Sequence, residues 1–469
     1  MTFDIAVPAR ITLKKHSISH RNITDSHVKQ IVREQCAKAP SCVLMSGGPA
    51  DVGRYSIIAS DPLLIFKTRG NACEIKTSRG KQSFNGDPLE VLDALLSRID
   101  AEFPEEMTPF CGGAVGYFAY EFKNEIEQLP QSALDDLQLP DIFLFFPSRI
   151  QVHDREKGEL HELILTWEDE KYRSFSEDSV VSGDNDDSLS AHKVSSNFSK
   201  DEYCSAVEKI REYILDGDVY QVNLTQRLSF HFGSPPEELW LRLFEQNPSP
   251  YYAYINAGDH AVMSTSMECF LKRRGQRIIS RPIKGTRPRG QTEREDNQLQ
   301  RELLSSGKDD AELSMIVDLI RNDLGKVCEP GSIAVSEHKR LESYANVHHL
   351  VSTVEGKVTA EASIGDILRA TFPGGSITGC PKIRAMEIID ELEPHVRHVY
   401  TGAIGYLGFH GNFELNVAIR TIVGKDGIYH FGAGGGVVFD SDPETEYKET
   451  LHKADTLLRL IGKGGDVNE

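Results

Sequence analysis

Apolar positions along the chain follow two different periods. Leu313, Ile316, Val317, Ile320 and Leu324 form one stripe at helical spacing over Asp309–Leu324. Tyr447, Leu451, Ala454, Leu458 and Ile461 do the same over Pro443–Ile461, where an N-terminal proline and several acids mark a helix start. Pro381–Leu392 opens with proline at the first helical position. Leu89, Leu92, Leu95, Leu96 and Ile99 predict a helix over Pro88–Ile99, and another is expected over Asp201–Leu215. Elsewhere the pattern is that of strands. Val43–Met45, Tyr55–Ala59 and Leu63–Phe66 are short β-rich runs broken by Gly, Pro and Asp, and Ile142–His153 and Leu160–Trp167 read as a pair. From Tyr220–Phe232 onward, strand-like runs dominate, interrupted by three well-marked helices. Ser174–Lys200 is rich in Ser, Asp and Asn, has no apolar period, and reads as a linker.

Composition narrows the classes. The 469 residues exceed one ordinary domain, and 39% apolar with 26% charged residues is a soluble balance. No apolar run approaches a membrane span, and Met1–Lys15 has no apolar signal core. The eight cysteines show no C-x-x-C pair or zinc spacing, which fits reduced thiols in a cytoplasmic protein. A formal charge of −19 disfavours nucleic acid and anionic membrane as partners, since both need a basic surface. An anionic substrate would need a cation or a few placed basic residues.

Several residues could supply such chemistry. Glu446, Glu449 and Lys453 share one helix face beside the apolar stripe, and Asp309 and Glu312 share another. Two such faces offer oxygens for Mg²⁺, and equally fit solvated flanks. Gly432–Gly436 follows a strand and leads into Val437-Val438-Phe439, more strand, so it is no dinucleotide fingerprint. Consecutive strand glycines point to a bulge or the close approach of a ligand. Gly374–Lys382 precedes a helix but lacks phosphate-loop spacing. Lys284 ends the run Arg277–Lys284 beside Gly285, and Glu268 follows Ala261–Ser266. Each is a surface charge unless burial retunes it, the lysine then serving as nucleophile and the carboxyl as acid. His348 and His349, in a strand, face opposite ways. Arg420, in the run Val417–Ile422, suits a carboxylate or a cross-strand ion pair.

The order of these segments resembles the chorismate-utilising enzyme family. The likeness rests on Pro282-Ile283-Lys284-Gly285-Thr286, Ala311-Glu312 leading into Ile316–Gly325, His348–Ser352, Phe372–Lys382 and Gly432–Lys453. It is looser earlier, at Gly53-Arg54-Tyr55-Ser56 and Gly112–Tyr117. The resemblance implies an α+β fold of two large, mostly antiparallel β-sheets packed as a sandwich, with helices outside. It divides the chain into 1–173, a region like that of anthranilate synthase component I, the linker 174–200, and a catalytic region 201–463.

The family likeness also implies roles. Glu312 and Glu449, supported by Asp309 and Glu446, would hold Mg²⁺ for the ring carboxylate of chorismate. Thr286, His349, Ser376, Tyr406, Arg420, Lys453 and the backbone at Gly285, Gly434 and Gly436 would line the substrate pocket. Water-using members carry lysine where this chain has Gln221, and C2-aminating members carry alanine where it has Lys284. The combination resembles members that aminate chorismate at C4, with Lys284 attacking C2 and Glu268 protonating the departing hydroxyl. Ser266-Met267-Glu268-Cys269 departs from the usual Ser-Pro-Glu-Arg around that acid. Ammonia would come from a separate glutamine amidotransferase subunit, and a separate lyase would follow. A tryptophan pocket around Ser46, Arg54 and Pro250 is implied as well. The rival expectations are C2 amination, as in anthranilate synthase component I, and a non-catalytic chorismate-binding protein.

Overall fold

The computed structural model describes residues 7–19, 23–48, 52–101, 108–177 and 194–462. The middle of the 174–200 segment and the start of Met1–Lys15 lie outside the described residues. Two long strands, Tyr55–Arg69 and Ile142–Asp154, run antiparallel along nearly their whole length. Each serves two sheets. In the first sheet, Ile142–Asp154 passes to Gly113–Phe118, then Ala403–Gly408, Phe413–Val417, Cys269–Arg274, Arg277–Arg281 and Val347–Lys357. Ile283–Pro288 also pairs with Val347–Lys357, and Ala334–Ser343 lies on its other edge. In the second sheet, Tyr55–Arg69 passes to Ser41–Met45, Tyr251–Asn256, Ala261–Ser266, Thr421–Lys425, Ile428–Val437 and Gln221–His231. All these pairings are antiparallel. Each sheet therefore joins strands from before the 174–200 segment to strands from after it.

The period-two pattern explains how the layers stack. Ile255 and Val262 point into a large core shared with Phe145, Ile404 and Leu415 of the first sheet. Their neighbours Tyr254 and Met263 point the opposite way, into a second core. There the helices Asp25–Cys36, Pro236–Gln246 and Pro443–Leu460 cover the outer face with Val32, Trp240 and Leu458. The result is the expected α+β arrangement of two mostly antiparallel sheets with helices outside.

Two local features differ from the sequence reading. The runs Tyr55–Ala59 and Leu63–Phe66 are one strand, because Asp61 adopts φ 55° and a register shift at Pro62/Leu64 absorbs the proline. The bend there lets one strand serve both sheets. Beyond residue 220 there are further helices, among them Pro236–Gln246, Glu293–Ser305 and Ile364–Thr371. Glu293–Ser305 buries only Leu303, so it has almost no apolar stripe to read. No helix is long and apolar enough to cross a membrane, among the described residues.

Candidate active site

Pro282 splits the run Arg277–Lys284 into two strands, so Lys284 stands near the start of Ile283–Pro288 instead of at a strand end. A register shift falls between Lys284 and Thr286, where Gly285 takes φ 68°. A side chain at Gly285 would also strike Leu303 and Asp309, so glycine is what lets the acidic helix Gly307–Gly325 pack here. This bulge sets the direction of Lys284, whose Nζ lies 3.9 Å from Glu312 Oε2. Across the site runs the glycine strand Ile428–Val437. A Cβ on Gly436 would overlap the Gln221 amide nitrogen and stand 3.5 Å from Lys284 Nζ. Gln221, Lys284 and the bare backbone of Gly436 therefore converge. Among the described residues, the buried Oε1 of Gln221 has no hydrogen-bond partner.

Burial lowers the Lys284 pKa, and nearby Lys453 lowers it further, against the opposing charges of Glu312, Glu268 and Glu449. Its side chain is only 13% exposed. Glu268, 4% exposed, is retuned in the opposite direction. Burial raises its pKa to about 7, although the Ser376 hydroxyl, Lys284 and the Ile283 N–H each favour its charged form. The pair is thus biased toward a neutral amine beside a neutral acid. Met267 and Cys269, the unusual neighbours of Glu268, are both buried. Burial pushes the Cys269 thiol up to about 11, so it stays protonated at neutral pH.

On the same site, Thr286 Oγ1 and His349 Nδ1 are 3.0 Å apart, and Nδ1 also faces Gly285 O at 3.4 Å. Burial lowers the His349 pKa to about 3, with the Arg420 charge adding to it. The ring is neutral, and its buried Nε2 has no partner among the described residues. His348 points the other way, to Ser343 and Asp296, as alternation requires. Arg420 is not within a strand. It lies between Phe413–Val417 and Thr421–Lys425 with φ 48°, its carbonyl held by Thr265. Among the described residues no carboxylate pairs with its guanidinium, and burial lowers its pKa. That leaves a desolvated cation beside His349. Lys453 donates to Gly434 O at 2.9 Å and pairs with Glu449 at 2.8 Å.

The acidic residues gather at the other end. Glu446 Oε2 and Glu449 Oε1 face Gly435, at 3.1 and 3.8 Å from where its Cβ would be. Burial raises the Glu446 pKa, whereas Lys453 overrides burial at Glu449 and lowers it. Glu312 meets Lys284 and Lys308, each at 3.9 Å, and Asp309 accepts from Arg287 at 3.2 Å. No three His, Cys, Asp or Glu side chains among the described residues are close enough to hold a metal by themselves. The donors are all carboxylate oxygens set against lysine charges. That chemistry fits Mg²⁺, which takes one or two carboxylates and fills its other positions with substrate and water.

Tyr406 is not part of this constellation. It lines a separate cavity of about 850 Å³ with Ser46, Arg54 and Pro250, the three residues expected to share a pocket. There its hydroxyl bonds to Arg274, and its ring packs on Phe110 at 5.1 Å. The tyrosine that does reach the glycine strand is Tyr400. Its ring lies against Gly432, and Thr225 and the Gly434 N–H both favour the charged form of its hydroxyl. Tyr400 and Tyr406 flank the same Gly402–Gly405 segment, and the structure brings Tyr400, not the expected Tyr406, to the glycine strand. Alternation from Tyr406 along Ala403–Gly408 could not have found Tyr400, which lies in the turn before that strand.

Residues 54–459 match the chorismate binding enzyme family, and the chain belongs to it. Aminodeoxychorismate synthase component 1 of Bacillus subtilis (strain 168) is 38% identical over 427 residues, covering 87% of this chain and 89% of the relative. Anthranilate synthase component 1 of Acetivibrio thermocellus is 37% identical over 436 residues, covering 88% of each. The structure matches that of anthranilate synthase component I from Streptococcus pneumoniae TIGR4 with a TM-score of 0.75 and 31% identity, covering 88% and 93% of the two chains. The chain is therefore an enzyme of this family. Since differently named relatives are nearly equally similar, the choice of reaction falls to the residues of the site.

Proposed function

We propose that this enzyme aminates chorismate at C4, forming 4-amino-4-deoxychorismate. The observation that carries this reading is the buried amine of Lys284. Its basicity is lowered, it stands with Gln221 at the bare backbone of Gly436, and its charge acts on Glu268. In this reading neutral Lys284 forms a bond to C2 of the ring. Both ring double bonds shift, the C4–O bond breaks, and Glu268 gives its proton to the departing hydroxyl, which leaves as water. Ammonia then bonds to C4, the double bonds shift back, the C2–N bond breaks to release neutral Lys284, and the new ammonium returns a proton to Glu268. Groups placed for proton transfer typically contribute ~10²–10⁴ in rate. Gln221 is an amide and cannot act as a base toward water, which favours ammonia as the incoming nucleophile.

The anionic groups of chorismate would meet Arg420 and Lys453, with Thr286, His349, Ser376 and the backbone at Gly285, Gly434 and Gly436 around the ring. Glu312 and Glu449, backed by Glu446 and Asp309, would hold Mg²⁺, which neutralises a substrate carboxylate. Ammonia would come from a separate glutamine amidotransferase subunit, and a separate lyase would convert the product to para-aminobenzoate.

The test is product analysis with chorismate, Mg²⁺ and ammonium salt. Para-aminobenzoate appearing only after lyase is added supports C4 amination. Fluorescent anthranilate formed directly would place the enzyme with the anthranilate synthase relatives instead. Binding of chorismate without consumption would leave a non-catalytic member of the family.

A further inference from the structure

A second buried ion pair lies behind the site and touches none of the groups given a chemical role above. Glu393 closes the helix Lys382–Leu392, and Arg397 follows four residues later. Their side chains are 4% and 2% exposed and form a bidentate pair, with Nε to Oε2 at 2.9 Å and Nη2 to Oε1 at 2.6 Å. The remaining guanidinium donors reach out to other segments. Nη2 donates to Asn223 O at 2.6 Å, and Nη1 to Ile377 O at 2.9 Å and Thr401 Oγ1 at 3.5 Å. Glu393 Oε1 also accepts the Thr225 N–H at 2.9 Å. The Tyr120 ring lies 4.8 Å from the guanidinium carbon.

The tied segments are those that carry the site. Ile377 is the neighbour of Ser376 in the short turn Gly375–Ile377, and Ser376 and Glu268 line one small cavity, where the Ser376 hydroxyl favours the charged form of Glu268. Asn223 lies opposite Gly436 in the register, two residues from Gln221. Thr225 lies opposite Gly434 and faces the Tyr400 hydroxyl. A buried ion pair adds little net stability once its desolvation is counted. Its fork does, however, fix the distance between two backbone carbonyls on separate segments, which a lysine's single ammonium cannot reproduce.

We propose that Arg397, held by Glu393, is a positioning residue that clamps the Gly375–Ile377 turn to the Gln221–His231 strand and thereby keeps Ser376 on Glu268. This rests on the reading of Glu268 as the proton donor, but its structural part can be tested without substrate. The groups facing Glu268 are Lys284 and the Ile283 N–H from one strand and Ser376 from the turn. Cys269 and Asp323 line the same small cavity, and Asp323 is itself paired with Lys382.

The experiment is an infrared pH titration of the protonated-carboxyl band that Glu268→Gln removes, in wild type, Arg397→Lys, Ser376→Ala and the double variant. Loss of the Ser376 hydrogen bond removes an interaction that favours the carboxylate. Glu268 should therefore titrate at higher pH in Arg397→Lys and in Ser376→Ala, and the double variant should move no further than Ser376→Ala alone. With chorismate, kcat/KM should fall ten- to a hundredfold in Arg397→Lys. If Arg397→Lys does not fold, Glu393→Gln replaces it, with the same shift expected. An unmoved Glu268 titration with only a lower Tm would reduce the pair to a structural tie and overturn the proposal. Wild type that titrates as expected but consumes no chorismate would instead remove the catalytic reading and leave the clamp.

Discussion

Lys284 Nζ and Glu312 Oε2 face each other 3.9 Å apart, and Lys308 meets the same carboxylate at 3.9 Å from its own helix. Glu312 is therefore the largest of the three charges, with Glu268 and Glu449, that oppose burial in setting the basicity of Lys284.

That arrangement makes Lys284 the residue to remove first. Lys284→Ala should lose C4 amination by at least about a hundredfold, the scale of a lost nucleophile or acid–base group. Lys284→Arg should do no better, since a guanidinium stays charged and cannot attack. Lyase-coupled product formation under saturating ammonium measures both. An unchanged rate and product in Lys284→Ala would end the covalent role.

Glu268 ties activity and stability to pH in a direction that can be worked out. Its pKa is raised from 4.5 to about 7 in the fold. Below pH 4.5 it is protonated in both folded and unfolded chains and has no effect. Between pH 4.5 and 7 the unfolded chain gives up the proton while the fold keeps it, so the fold loses stability as pH rises. Above 7 the full penalty of about 3 kcal/mol applies, at about 1.4 kcal/mol per unit. Glu268→Gln does not titrate. Its Tm should therefore gain on wild type as pH rises from 4.5 to 7 and then hold a constant lead, while amination is lost. A lead that does not change with pH would mean that Glu268 is not buried as a neutral acid.

The sequence was most legible where one element has one burial pattern. The stripes of Asp309–Leu324 and Pro443–Ile461 and the glycine run each became the element they predicted, because period and burial agree there. The opposed histidines followed from alternation alone. It was least legible where backbone irregularity sets direction. The bulge at Gly285 and the left-handed conformation of Arg420 decide where Lys284 and the guanidinium point, and neither leaves a periodic trace. Glu293–Ser305 was invisible because a helix that buries one leucine looks like loop. The Glu393–Arg397 pair reads in sequence as a routine charge pattern, and only its burial and its contacts with three distant segments distinguish it.

Tyr400 and Tyr406 separate the two cavities experimentally. Tyr400→Phe removes a hydroxyl that faces Thr225 and the Gly434 N–H at the glycine strand, and kcat/KM for chorismate should fall about tenfold, the worth of one or two hydrogen bonds. Tyr406→Phe removes a hydroxyl bonded to Arg274 in the other cavity, and kcat/KM should stay within about twofold. Steady-state kinetics on both variants at the same pH decides the matter. If Tyr406→Phe is the more damaging, the chorismate site must be reassigned to the cavity that Tyr406 lines.

The metal reading can be tested at the carboxylates. Chelation with excess EDTA should abolish turnover, and added Mg²⁺ should restore it, because the two helices offer too few oxygens to hold an ion tightly without substrate. Glu449→Gln should raise the Mg²⁺ concentration needed for half-maximal rate by ten- to a hundredfold, the effect of losing one charged ligand. Glu446 is buried, bonded to Ser441 at 2.6 Å, and its pKa is raised by that burial. Glu446→Gln should therefore shift the requirement less than Glu449→Gln does. Mg²⁺ titrations of initial rate at fixed chorismate would show the order, and turnover that survives EDTA would remove the ion from the site.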